Sequence, residues 1–178
     1  IPALVHTDMA VVDEAKALEA VSFWTLRSFD VEQRKQAYLL TNVVSGCASI
    51  FNRTAASKAF PVPEQAIQHD RWLALVCAWF GGIYALPQPL LFYRQHGSNQ
   101  VGAELQSIPS TEIALRVDAW SQQAEVFLQR YGDELARADY RLVAALAALQ
   151  YLKGWERRRH IVQHRLFKQG ILANVALL

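Results

Sequence analysis

The stretch over residues 68–99 constrains the fold of this chain more than any other. It places the carboxylate of Asp70 just before apolar residues at helical spacing, which are Trp72, Leu73, Leu75, Val76, Trp79 and Phe80. Two glycines at 81–82 then break the helix, an extended apolar run follows, and a polar loop contains His96. The pattern predicts a buried helix followed by a strand, with Asp70 projecting from the first helical turn. Because one helix and one strand separate Asp70 from His96, both side chains can reach one cleft.

Composition and charge limit the class of protein. The chain has 178 residues, 52% of them hydrophobic and 19% charged, which suits one globular domain or two small lobes with a real core. A formal net charge of +2 gives no overall case for a nucleic-acid partner. No apolar run reaches the roughly 20 residues that a membrane span needs. Cys47 and Cys77 lie in apolar surroundings without metal-ligand spacing, so we predict two reduced core thiols in a cytoplasmic protein.

The pattern divides the chain into a mixed α/β part and an all-helical part, with predicted domains at 1–105 and 106–178. In the first part we predict strands at 3–5, 9–12 and 42–51, and a helix at 31–41. Gly46 interrupts the third strand, and a glycine there often marks a bulge or the close approach of another group to the backbone. The second part is predicted to hold helices at 110–131 and 133–153. Since Ile1 leads directly into an apolar run without an initiator Met, we expect an upstream portion to be missing.

Four sequence blocks occur in order across residues 3–103. They are Leu4-Val5-His6-Thr7-Asp8 with Val11-Val12-Asp13, Asn42-Val43-Val44-Ser45-Gly46-Cys47 with Phe51-Asn52-Arg53, His69-Asp70-Arg71-Trp72-Leu73-Ala74, and Tyr93-Arg94-Gln95-His96-Gly97-Ser98-Asn99-Gln100-Val101-Gly102. Together they resemble the C-terminal half of a family 2 glycosyltransferase, of the rhamnosyltransferase-like branch in bacterial surface polysaccharide synthesis. The resemblance implies an α/β fold: the acceptor-side half of a GT-A mixed sheet with flanking helices, followed by an all-helical extension.

What the resemblance implies chemically is an inverting, metal-dependent hexosyltransferase. It would move a sugar from a dTDP- or UDP-sugar donor to a glycan or lipid-linked acceptor. In such enzymes an Asp at a helix start is the general base toward the acceptor hydroxyl, a role that falls on Asp70, because the attacking alcohol must lose its proton as the new bond forms. His96 would contact Mn²⁺ or Mg²⁺, which neutralises the departing diphosphate. Gly46 would let the backbone approach the sugar or acceptor, and Arg94 would meet a phosphate.

The resemblance assigns two more residues to the cleft, namely His69 as a neighbour that shapes the site and Asp8 at a strand end. The family's Asp-x-Asp motif, which holds the metal against the diphosphate, has no match at the right place in this sequence. It should lie upstream of Ile1 together with the donor-binding half. The fragment alone is therefore expected to be inactive.

Plainer interpretations of the same residues stay open. Asp70 could serve only as a helix cap, His96 could be a loop histidine, and Asp8 could be a structural hydrogen-bonding residue. His160 and His164 share a helix face at metal-ligand spacing, but the surrounding arginines favour a solvated face. The whole chain could also be a non-catalytic helical interaction module that retains part of a glycosyltransferase fold.

The C-terminal segment over residues 155–178 is basic and ends in an apolar tail. A basic stretch with flanking aromatic residues is typical of contact with an anionic membrane surface. A helix that covers the domain explains the same pattern equally well. We therefore expect a cytoplasmic protein, with a peripheral position on the inner membrane as an open option. A nucleic-acid contact at 157–168 is the weakest interpretation, and we predict none.

Overall fold

The computed structural model describes residues 1–96 and 110–166. The chain forms two compact units. The first comprises Ile1–Tyr38, Asn42–Phe60 and His69–Ser107, and the second comprises Leu39–Thr41, Pro61–Gln68 and Ile108–Leu178. The described part of the first unit is mixed α/β and that of the second is helical. The predicted boundary between residues 105 and 106 lies outside the described residues.

The sheet of the first unit is organised around β1 (Ala3–Val12). On one side β2 (Leu18–Ala20) and β3 (Ser49–Phe51) pair antiparallel with opposite ends of β1. On the other side β4 (Gly82–Arg94) pairs in parallel along the whole of β1. The sequence predicted two short strands in place of β1, and the structure joins them. The irregularity lies in β4 instead, where the register shifts opposite residues 7–9.

The outer edge of β4 is unpaired in the described part of the chain, since β4 pairs there only with β1. Its exposed large apolar side chains are Tyr84, Leu86, Leu90, Leu91 and Phe92. Phe92 is the most open of them, with 78% of its surface exposed. Pro87 and Pro89 and the register shifts make β4 a poor template for further pairing, a device common on edge strands.

Helices α1 (Phe23–Leu26), α2 (Arg53–Ala59) and α3 (His69–Phe80) accompany the sheet. Asn52 caps α2 through its Oδ1, which accepts from the Ala55 N–H, and the same oxygen accepts from the Ala3 N–H of β1. In α3, the helix predicted after Asp70 is confirmed, and residues 72–77 are all buried. The Trp72 indole N–H donates to the Ala59 carbonyl at 2.8 Å, which fixes α3 against α2.

Two predicted elements before α2 are wrong in extent. The predicted helix at 31–41 is a short 3₁₀ turn at Lys35–Leu39, and the predicted strand at 42–51 is a 3₁₀ turn at Gly46–Ala48 followed by β3. The Asn42 side chain explains part of the second error, because it bonds both the N–H and the carbonyl of Val44. A side chain that occupies these backbone groups competes with strand pairing.

The two thiols differ in environment. Cys77 is buried on α3 as predicted, but Cys47 is exposed in the 3₁₀ turn, so its predicted core position is wrong. An apolar sequence neighbourhood places a residue in the core only if the local backbone turns its side chain inward. Both cysteines are free.

The second unit is built from α4 (Ser110–Tyr131), α5 (Arg137–Ala147) and α6 (Gly154–Gln163). The predicted helix at 133–153 is shorter than expected because 3₁₀ turns occupy Gly132–Glu134 and Ala148–Tyr151. The core of this unit is mainly apolar, with buried Val117, Trp120, Ala124, Phe127, Val143, Leu146 and Ile161, and α4 also buries Ser121 and Gln123. Within the described ranges, no helix combines the length and apolar character that crossing a bilayer requires.

Close backbone contact at the start of β4 gives a first prediction. Gly81→Ala should lower the free energy of unfolding by about 3 kcal/mol, at the upper end for overpacking, because the new Cβ would lie in the Pro2 backbone. The distance from that Cβ to the Pro2 carbonyl oxygen would be 1.7 Å. Urea denaturation measures the change. The neighbouring Gly82→Ala is the matched control, since its Cβ meets only the ring end of the exposed Tyr84, and it should change stability by less than about 1 kcal/mol. Equal effects of the two substitutions would contradict the packing described here.

A second prediction concerns His6, which β1 places in the core. The side chain is fully buried, neither ring nitrogen has a hydrogen-bond partner among the described residues, and the ring lies against Trp24 at 5.0 Å between centroids. Burial lowers the pKa of His6 to about 4 from an ordinary value of 6.5. The unfolded chain therefore binds a proton that the folded chain excludes between these two values, so stability falls as the pH drops through this window.

From pH 7.5 to pH 4.5 the chain should lose about 2–3 kcal/mol of stability through His6 alone. His6→Leu removes the titrating group and nearly conserves volume, so the variant should lack this part of the pH dependence. Urea denaturation of both proteins at the two pH values gives the difference. Identical pH profiles would show that His6 is not buried in its neutral form.

Candidate functional site

Three of the residues that the resemblance assigns to a cleft meet at the start of α3. The Gly46 N–H donates to Asp70 Oδ2 at 3.0 Å, across 24 positions of sequence. A Cβ on Gly46 would lie 2.8 Å from His69 Nε2 and 3.3 Å from the Asp70 Cβ. Gly46, His69 and Asp70 therefore form one cluster, and a larger residue at position 46 would displace the His69 ring. We call it the Asp70 cluster.

Local sequence explains how Asp70 reaches this position. Asp70 lies in the first turn of α3, where unpaired backbone N–H groups and the helix dipole stabilise a negative charge. Its Oδ1 accepts from the Arg71 N–H at 2.6 Å while Oδ2 accepts from Gly46. Two backbone donors thus fix the orientation of the carboxylate without using a flexible side chain.

The cluster remains accessible. Asp70 and Gly46 are half-buried and His69 is exposed. An ionised carboxylate offers about four acceptor positions, and the two described hydrogen bonds occupy half of them. A hydroxyl that approaches from solvent can therefore donate to Asp70 while the backbone holds the carboxylate still. This arrangement suits a general base with an imidazole beside it.

Asp8 is placed elsewhere, in a structural role. It is 3% exposed, its Oδ1 accepts from the Met9 and Trp24 N–H groups, and its Oδ2 accepts from the Ser22 hydroxyl at 2.5 Å. Ser22 in turn caps α1 by accepting from the Thr25 N–H. The carboxylate therefore ties β1 to the start of α1, and its described contacts involve no member of the Asp70 cluster. The plainer interpretation of Asp8 accounts for all of them.

Arg94 and His96 lie at the end of β4, both exposed. Arg94 is the last residue of the strand and pairs with Val12, and the Gln95 N–H continues the ladder by donating to the Val12 carbonyl at 2.8 Å. Neither Arg94 nor His96 is a described contact of Asp70. The rest of their sequence block, residues 97–102, lies outside the described residues.

Among the described residues, no group of three or more His, Cys, Asp or Glu side chains is placed to hold a metal ion. The His160 and His164 rings do lie close, with centroids 4.3 Å apart, but His160 Nε2 bonds the Ala145 carbonyl at 2.8 Å. Burial and the neighbouring His160 lower the pKa of His164. A metal site that includes His96 would thus need ligands from beyond the described residues.

One partner of Asp70 was missing from the sequence interpretation. The glycine pattern predicts either a bulge or a close approach at Gly46, and the resemblance assigns such an approach to the sugar or acceptor. In the structure the approaching groups are His69 and Asp70 themselves. The signal for proximity was present in the sequence, whereas the identity of the partner depends on a contact between distant segments.

Comparisons of the chain with protein-family models, with curated proteins and with solved structures returned no match. The contacts and the chemistry of the Asp70 cluster are therefore what indicate a function.

The contact at Gly46 generates the next prediction. Gly46→Ala should lower the free energy of unfolding by about 1–3 kcal/mol, because the added methyl group displaces His69 and loosens the hydrogen bond to Asp70. Amide hydrogen exchange at position 46 should become faster. Cys47→Ala changes the adjacent exposed residue and should leave both measurements unchanged. A Gly46→Ala protein as stable and as protected as Cys47→Ala would refute the cluster.

Proposed function

We propose that this chain is the acceptor-side half of an inverting glycosyltransferase of the GT-A type, similar to family 2 rhamnosyltransferase-like enzymes of bacterial surface polysaccharide synthesis. The hydrogen bond from the Gly46 N–H to Asp70 Oδ2 is the observation that carries the proposal. It joins two of the four sequence blocks on which the resemblance depends. It also presents the carboxylate that the resemblance names as general base.

In the proposed reaction, an acceptor hydroxyl on a glycan or lipid-linked sugar donates its hydrogen bond to Asp70. The hydroxyl oxygen attacks the anomeric carbon of a dTDP- or UDP-sugar, its proton passes to Asp70, and the bond to the nucleoside diphosphate breaks. A single displacement on the face opposite the leaving group inverts the anomeric configuration. General-base catalysis of this kind contributes about 10²–10⁴-fold to a rate.

The residues around Asp70 take supporting roles in this proposal. His69 is exposed beside the carboxylate and can bond sugar hydroxyls with either ring nitrogen. Arg94 is exposed at the end of β4, and its guanidinium suits a phosphate of the donor. We leave Asp8 out of the reacting site, because its oxygens are occupied by the start of α1.

A divalent cation, Mn²⁺ or Mg²⁺, belongs to the reaction that the resemblance implies. The described side chains do not supply a ligand set for it. We therefore assign no metal-dependent step to this chain. His96 remains a predicted metal contact whose companion ligands belong to the donor-binding half.

The open side of β4 supports a partner half. Among the described residues, β4 is a 13-residue strand that pairs on one side and exposes several large apolar side chains, which is typical of a surface that other polypeptide covers. In the proposed enzyme the donor-binding half covers it. Because the register shifts and prolines in β4 disfavour further strand pairing, the proposed half covers β4 by side-chain packing.

The test is sugar transfer by the enzyme that contains this chain together with its donor-binding half. A screen of dTDP- and UDP-sugars with Mn²⁺ or Mg²⁺ identifies the donor, and Asp70→Asn should then lower kcat by at least about 10²-fold. Asn keeps an acceptor oxygen for one of the two backbone N–H groups, so the melting temperature should fall by only a few degrees.

Asp133→Asn is the matched control, since it removes an exposed carboxylate in the turn after α4 and should leave turnover unchanged. Full activity of Asp70→Asn would remove Asp70 from the role of base. Absence of transfer from every donor by a folded enzyme would favour the alternative, a non-catalytic interaction module.

A further inference from the structure

Helix α6 is fixed to the second unit by one side. The Arg157 guanidinium bonds Asp118 at 2.6 Å and donates from Nε to the carbonyls of Leu149 and Leu152. One turn further, the His160 ring bonds the Ala145 carbonyl, and Ile161 is 1% exposed. These contacts fill the side of α6 that faces α4 and α5.

The opposite side of α6 carries a different set of residues. Trp155, Arg158, Arg159, Val162 and Gln163 recur at the spacing of one helical face, and we call this set the outer face of α6. Trp155 is 76% exposed and Val162 is 52% exposed, which is unusual for an indole and a branched aliphatic side chain. Trp155 and Val162 therefore form an exposed apolar strip along the outer face, and the opposite side of the helix is fixed by the contacts described above.

The two cations of the outer face form no ion pair in the described part of the chain, although the exposed Glu156 lies three positions before Arg159 on the same helix. Arg157 is neutralised by Asp118, but Arg158 and Arg159 have no ion-pair partner among the described residues. Both are exposed and flank the apolar strip between Trp155 and Val162. An indole next to guanidinium groups is the combination that membrane interfaces favour, since the ring enters the headgroup region while the cations meet lipid phosphates.

We propose that the outer face of α6 docks on the surface of a bilayer that contains anionic phospholipid. Trp155 and Val162 enter the boundary between headgroups and acyl chains, and Arg158 and Arg159 contact phosphates. The helix lies along the surface, because its 10 residues span about 15 Å at 1.5 Å per residue, half of a hydrocarbon core. In this position the contacts of Arg157, His160 and Ile161 stay intact.

A lipid surface fits the outer face better than nucleic acid does. Nucleic-acid affinity depends on neutralising many phosphates along a backbone, and the outer face offers two guanidinium groups with an apolar centre. Two cations are enough for binding to an anionic bilayer when an aromatic side chain is also buried there. Each Arg near an anionic surface raises the partition coefficient about fivefold. The apolar residues would gain nothing from a phosphate backbone in water.

Vesicle sedimentation of the chain tests this inference. The protein should bind vesicles of equal parts phosphatidylcholine and phosphatidylglycerol and not vesicles of phosphatidylcholine alone. Arg158→Glu with Arg159→Glu should lower the partition coefficient at least about 25-fold, because the loss of two contributions of about fivefold each already gives that factor. Trp155→Phe should retain most of the binding, and Trp155→Ala should lose it.

The matched control reverses two exposed arginines on α5, with Arg137→Glu and Arg141→Glu. It changes net charge by the same amount and should alter partitioning less than threefold. Brominated lipid should quench Trp155 emission in the parent protein, and Trp155→Phe should lose that quenching. Circular dichroism confirms that each variant is folded.

Three outcomes would overturn the proposal. An equal loss of binding in the α5 variant would show that net charge alone governs partitioning. Trp155 emission that does not respond to vesicles would show that other residues of the chain cover the outer face. Binding of a single-stranded DNA oligonucleotide with steep salt dependence, together with no binding to the anionic vesicles, would assign the face to nucleic acid.

Discussion

The parallel pairing of β1 with β4 determines where the candidate site lies. Because the strands run in the same direction, the chain must cross over between them, and α3 completes that crossover. The end of α3 is fixed at the start of β1, where the Gly82 N–H donates to the Pro2 carbonyl and Gly81 lies against the same backbone. The start of α3, with Asp70, is therefore directed toward the carboxyl ends of the strands, where ligands bind in sheets of this kind.

Local sequence signals predicted the elements that depend on neighbours in the chain. The apolar spacing from Trp72 to Phe80 and the glycine pair after it correctly predicted α3. The errors occur where a partner is distant or where a side chain competes with the backbone. The polar Asp8 interrupts the apolar pattern of β1, but its carboxylate bonds Ser22, 14 positions away, and the strand continues through it. The Asn42 side chain bonds the backbone of Val44, so periodicity alone did not predict that β3 is short.

The same distinction separates what was predictable in the site from what was not. A helix start places Asp70 by itself, and a glycine in an apolar segment indicates that something approaches it closely. Which group approaches depends on how the turn at Gly46–Ala48 meets α3, and this contact spans 24 positions. Cys47 shows the limit most directly, because its apolar neighbours suggested burial, while the 3₁₀ turn points its thiol to solvent.

The basic segment near the C terminus shows why composition cannot choose between two roles for a helix. A covering helix and a surface-binding helix were competing interpretations of one run of arginines, although a helix has two sides and can serve both. Arg157 lies on the side that fixes α6 in place, and its guanidinium forms an ion pair with Asp118. Arg158 and Arg159, one and two positions later, turn outward with Trp155. Because successive residues of a helix lie on different sides of it, neighbouring arginines can have different roles. The contacts that each arginine makes therefore assign its role, and the composition of the segment does not.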